Sequence, residues 1–189
     1  MPPQKPNPNL TRYFPDFPLP ILAIVARSGT GKTTLLAKLI PLLNKAGLRI
    51  AVIKHSHHDV QIDQPGKDSF RMREAGAQQV MLASPHRCFW IAEGNGEDEP
   101  SLVELLLRLD TSCLDLVLLE GYRHESVAKL EVHRSDVSGD PLVFSDAQVI
   151  AVASDEPLAV SVPGLDLDDL GSICDFVLAQ TGHGDKAIP

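Results

Sequence analysis

ARSGTGKT, residues 26–33, lies where an apolar run ends and a helical pattern begins. The run before it, Leu19 to Val25, is short and rich in Ile, Leu and Val, as a buried strand is. The stretch after it, Lys32 to Leu43, carries Leu35, Leu36, Leu39, Ile40 and Leu43 at helical spacing. A bare GK[ST] triplet is a weak signal. Strand, glycine loop and helix in succession make it a phosphate-binding loop. The loop N–H groups and the helix N-terminus then face a phosphate chain, and the helix dipole favours its charge. The pattern assigns Lys32 to the β/γ-phosphates and the Thr33 hydroxyl to Mg²⁺. Arg27, Ser28, Gly29, Thr30, Gly31 and Thr34 complete the candidate cradle. Ala26 stands where the GxxxxGK[ST] pattern begins with Gly, and alanine disfavours positive φ. Either that position keeps an ordinary φ or the loop opens differently from the common form.

A chain of 189 residues suits one domain with a substantial core. Residues 1–18 form a proline-rich arm without the apolar centre of a secretory signal. Residues 19–182 are expected to form the domain, and 183–189 a tail. No stretch approaches a membrane span, so a cytoplasmic location and no membrane partner are expected. The net charge of −8 argues against nonspecific nucleic-acid binding, which needs a basic footprint. It leaves nucleotides open, because a phosphate loop concentrates positive potential locally. Cys88, Cys113 and Cys174 form no CxxC pair and are expected as buried free thiols.

Strand-like runs alternate with helical ones. Leu48–Lys54, Leu114–Leu119, Ala128–His133 and Gln148–Ala153 have strand character, with shorter candidates at Gln79–Ala83 and Arg87–Glu93. Helices are expected at Asp68–Ala75, Pro100–Leu109 and Leu167–Ala179, and Pro41 should kink the first helix. Such alternation implies an α/β sandwich with a mostly parallel central sheet, which binds ligands beyond the carboxyl ends of its strands.

Three polar clusters fall at such ends: the phosphate loop, residues 55–59 and Glu120-Gly121. Glu120 follows four apolar residues, where a carboxylate can hold a metal-bound water or order an attacking one. Gly121 permits close backbone approach to a γ-phosphate. Asp115, the competing acid, lies at the start of its strand and should point away. The segment KHSHHD, 54–59, holds three histidines and an aspartate. It is a transition-metal site, a phosphate- or substrate-contacting segment, or a polar loop. Within it Asp59 is the stronger candidate, as a second acid near Mg²⁺. Lys67 and Arg71 lie one helical turn apart, as a solvated basic face or a second anion site. Asp155 ends an apolar run and either reads the guanine N1 and N2 groups or occupies a turn.

With these residues in hand, the chain resembles the molybdopterin-guanine dinucleotide biosynthesis adapter protein B (MobB) family. The resemblance lies in SGTGKTTLLAKLIPLL at 28–43, VIKHSHHD at 52–59, QPGKDSFRMREAGA at 64–77, LDLVLLEGYRHE at 114–125 and VIAVASDEP at 149–157. It implies a three-layer α/β/α P-loop NTPase fold, GTP as ligand, a homodimer and weak GTP hydrolysis; with no arginine finger or glutamine in the motifs, turnover is expected to be slow and partner-dependent. It also implies a role beside the MobA-type guanylyltransferase that joins GMP to molybdopterin. Carried over by position, Gly29, Gly31, Lys32, Thr33 and Thr34 match the phosphate loop. Asp59 matches the acid after the second strand, Glu120 and Gly121 the strand-end motif, and Asp155 the base-reading loop. Arg27 occupies the place of the extra lysine of deviant Walker A proteins. There it reaches phosphate across a dimer or remains a solvent-exposed loop arginine. Three rival readings are a non-catalytic adapter, a metallochaperone GTPase built on the histidines, and a small-molecule kinase.

Overall fold

The computed structural model describes residues 14–56, 63–96 and 99–182. Strands are β1 (Ile21–Val25), β2 (Ile50–Lys54), β3 (Gln79–Ala83), β4 (Cys88–Ala92), β5 (Leu116–Glu120), β6 (Lys129–His133), β7 (Val149–Ser154) and β8 (Gly164–Asp166). Helices are α1 (Lys32–Lys45), α2 (Asp68–Glu74), α3 (Leu102–Leu106) and α4 (Leu170–Thr181).

Six strands form one sheet in the order β2-β5-β1-β6-β7-β8, and every pairing in it is parallel. Strands β1 and β5 are buried along their whole length, so the sheet is covered on both faces. On one face Leu22, Ile24, Leu118, Leu130 and Ala153 pack with Leu36, Leu39 and Leu43 of α1 and with Ile173, Val177 and Leu178 of α4. On the other, Ile21, Ala23, Val25, Val117 and Leu119 are equally buried. The expected three-layer α/β/α class is the observed one. Because all six strands run one way, the phosphate loop, Lys54 and Glu120 arrive at the same edge.

The chain divides into two compact units, one of residues 1–55 with 105–189 and one of residues 56–104. The second holds the antiparallel pair β3–β4. It also holds a reciprocal cap: the Ser101 hydroxyl accepts from the Glu104 N–H, and the Glu104 carboxylate accepts from the Ser101 N–H.

Several boundaries differ from the sequence expectation. The helix expected at Pro100–Leu109 is Leu102–Leu106. The closing helix begins at Leu170 because Asp169 caps it, accepting from the Ser172 N–H at 3.0 Å. The residues before it form β8, which the sequence pattern does not reveal. Only Cys174 is a buried thiol, and its burial pushes the thiol pKa up. Cys88 and Cys113 are exposed, against expectation. Cys88 alternates outward on a short two-stranded sheet, and Cys113 ends a surface turn. No described helix is long and apolar enough to cross a membrane.

Candidate functional site

Gly29 and Gly31 have φ of 82° and 97°, left-handed values that a side chain would strain. They turn the chain so that α1 starts at Lys32 with no side-chain cap. The N–H groups of its first turn therefore have no intrahelical acceptor and face the loop. Ala26 keeps an ordinary φ: Tyr122 is the only non-glycine with positive φ among the described residues. The first alternative for that position is the observed one.

The loop is braced from within. The Thr30 hydroxyl donates to the Arg27 carbonyl at 2.7 Å, and Thr30 is almost fully buried. Lys32 Nζ folds over the loop, 3.4 Å from the carbonyls of Ala26 and Arg27. Arg134 Nε holds the Thr30 carbonyl at 3.2 Å. Arg27 is engaged within its own chain, its Nη2 donating to the Asp140 carbonyl at 3.0 Å. Its guanidinium lies so close over Gly139 that a Cβ there would stand 2.4 Å from the guanidinium carbon.

Glu120 ends β5, paired in register with Ile24 of β1 and Lys54 of β2. It is buried at the strand end, and the Thr33 hydroxyl donates to its Oε1. Lys54 Nζ lies 3.1 Å from that same oxygen. Lys54 belongs to the segment singled out for its histidines, yet sequence reasoning passed over it. Its signal was its place as the last residue of a strand parallel to β5. Asp115 sits at the far end of β5, as expected. There it pairs with Arg49, whose guanidinium this hydrogen bond holds above its ordinary pKa.

After Glu120 the chain turns through Gly121 and Tyr122, whose φ is 55°. The Tyr122 ring meets His55 edge-on at 5.6 Å. His57, His58 and Asp59 lie outside the described residues. Among the described residues no group of three metal-ligating side chains gathers. Lys67 and Arg71 are both exposed.

A small cleft of about 80 Å³ adjoins the phosphate loop, lined by Thr30, Gly31, Thr34, Arg134, Leu167 and Asp168 among others. Asp155 accepts from the Ser135 N–H at 2.9 Å and lies 3.8 Å from Arg134 Nη1. It thereby holds the arginine that lines the cleft. Asp168, which the sequence analysis did not single out, lines the cleft directly.

A parallel sheet whose first strand feeds a glycine loop and an uncapped helix defines an α/β protein of the P-loop NTPase-like class. The sequence model of the family described as "Molybdopterin guanine dinucleotide synthesis protein B" matches residues 21–155. The molybdopterin-guanine dinucleotide biosynthesis adapter protein of Escherichia coli is 49% identical over 162 residues, covering 85% of this chain and 92% of that protein. The protein of the same description from Haemophilus influenzae is 43% identical, covering 84% and 88%. A crystal structure of molybdopterin-guanine biosynthesis protein B superposes with a TM-score of 0.66 at 29% identity, over 84% of this chain and 98% of that one. Bacillus subtilis MobB, at 20% identity and a TM-score of 0.64, shares the fold over 86% of this chain and 97% of its own. The chain belongs to the MobB family.

Proposed function

We propose that this chain binds GTP with Mg²⁺ through residues 27–34, hydrolyses it slowly, and serves as an adapter in making molybdopterin guanine dinucleotide. It does so as a cytoplasmic homodimer beside the guanylyltransferase that joins GMP to molybdopterin. The adapter names of the relatives support the pathway. The observation that carries nucleotide binding is the uncapped start of α1, with Lys32 folded over the loop and Glu120 against Thr33.

The Thr33 hydroxyl and the Glu120 carboxylate fit Mg²⁺, since both are hard oxygen donors and they stand in contact. They would hold the ion, with Asp59 as the further acid carried over from the family. Mg²⁺ would neutralise charge on the β- and γ-phosphate oxygens. Lys32 and the loop amides stabilise that charge from the other side. Asp59 or Glu120 orders the attacking water, and Gly121, with a φ of 92°, permits close backbone approach to the γ-phosphate. The nearby arginines are committed to main-chain carbonyls, Arg27 to Asp140 and Arg134 to Thr30. Neither presents itself as an arginine finger. Intrinsic turnover is therefore far below the roughly 1–100 s⁻¹ of kinases.

The guanine edge is read by a carboxylate at the cleft. Asp155 is the acid named by sequence, and Asp168 is the one the cleft exposes. Calorimetric titration with GTP and ATP, with and without Mg²⁺, tests the reading. Wild type prefers GTP, and Lys32→Ala weakens binding by about 100-fold or more. Asp155→Asn and Asp168→Asn show which acid carries the preference. Equal affinity of wild type for the two nucleotides removes base reading altogether.

A further inference from the structure

Lys54 closes β2, and the parallel register sets it beside Glu120 of β5. Its Nζ lies 3.1 Å from Glu120 Oε1 and 3.4 Å from Thr33 Oγ1. The Thr33 hydroxyl donates to that same Glu120 oxygen. A helix hydroxyl, a buried carboxylate and an ammonium thus converge on one point. Lys32 does not supply the counter-charge here, because its Nζ faces the Ala26 and Arg27 carbonyls. A carboxylate withdrawn from water needs a cation beside it, and Lys54 is that cation.

We infer that the Lys54 ammonium is a tethered cation resident at the Thr33–Glu120 oxygen pair, which a divalent metal ion must displace. The inference rests on the nucleotide reading above for its biological setting. A dication on these two oxygens would stand within a few ångströms of the ammonium, where like charges repel strongly. One partner must move. The Glu120 side chain is 10% exposed and that of Lys54 54% exposed. Glu120 ends a fully buried strand, whereas Lys54 has a long flexible stem that can turn its head into solvent. Lys54 is therefore the group that leaves. Until it does, it keeps Glu120 and the Thr33 hydroxyl assembled, and it presents a positive charge to phosphate oxygens when no metal is bound. Metal affinity is lowered by the cost of displacement, and metal-free nucleotide affinity is raised by the same ammonium.

The test is a Mn²⁺ titration followed by electron paramagnetic resonance, on wild type, Lys54→Met and Lys54→Arg, each with GDP and without nucleotide. Lys54→Met should bind Mn²⁺ about ten-fold or more tightly than wild type, with Lys54→Arg near wild type because it keeps a cation. In EDTA, GDP affinity should move the opposite way, weaker in Lys54→Met. Mn²⁺ binding that is equal in wild type and Lys54→Met, weaker in the variant, or absent from both overturns the inference. If wild type fails to bind GDP, the nucleotide reading falls. The titration without nucleotide still reads the exchange at Thr33 and Glu120, so the two failures are distinguishable.

Discussion

Lys129 and Glu131 stand on one face of β6, each 2% exposed. An ammonium in that position is tolerated only when every proton is used. Lys129 Nζ donates to Asp146 Oδ2 at 2.6 Å, to the Arg123 carbonyl at 2.7 Å and to Gln148 Oε1 at 2.8 Å. The bond to Arg123 anchors the turn that follows Glu120, next to the left-handed Tyr122. Glu131 accepts from the backbone N–H groups of Leu142 and Val143 at 2.7 and 2.9 Å. Replacing Lys129 by Met leaves three acceptors without a donor, one of them a carboxylate. Lys129→Met should lose about 3–5 kcal/mol of stability, seen as a lower urea midpoint at unchanged slope. The sequence KLEVH conceals this, because an alternation of polar and apolar residues normally marks a strand with one solvated face. The glycine loop at 29–31 was legible because its residue types are demanded by local backbone geometry. Lys54 was not, because its role depends on a neighbour across the sheet.

Helix α1 runs from Lys32 to Lys45 with Pro41 inside it. The proline ring supplies no N–H to the Ala37 carbonyl, and its position is exposed. Burial of Leu35, Leu36, Leu39 and Leu43 outweighs that loss. Pro41→Ala restores the bond without touching the buried face. It should raise stability by about 1–3 kcal/mol, measured by thermal unfolding. Element positions were legible wherever an apolar period was strong, as in β1, β5 and α1. Their ends were not. Strands β2 and β5 begin two residues later than the apolar pattern does. At that end Asp115 accepts from the Arg49 N–H, Nε and Nη2, a fork that only the adjacency of the two strands creates. Strand β8, three residues long, was invisible because so short a segment shows no period.

The second compact unit exposes several large apolar side chains. On β3 and β4, Met81 is 67% exposed, Phe89 45% and Trp90 39%. Met81 and Trp90 are direct cross-strand partners, as are Leu82 and Phe89. A two-stranded sheet is marginal by itself in water, and this one carries an exposed apolar pair on each face, Met81–Trp90 on one and Leu82–Phe89 on the other. Either face is a candidate interface for the proposed homodimer. Met81→Lys combined with Trp90→Glu should convert the dimer to monomer by light scattering while leaving nucleotide affinity within about two-fold. A dimer that survives both charges places its interface elsewhere.

Local chemistry decided what could be read without coordinates. The glycine loop, the apolar strands and the helix after them each obey a rule that neighbours in the chain impose on one another. The α/β class and the glycine turn into the first helix therefore followed from residue order alone. Tertiary structure decided the rest. It placed Glu120 against Thr33, set Lys54 between them, gave Asp155 to Ser135 and Arg134, and brought Asp168 to the cleft. These pairings join residues far apart in the chain, and their geometry comes from strand order and register, which no local pattern encodes.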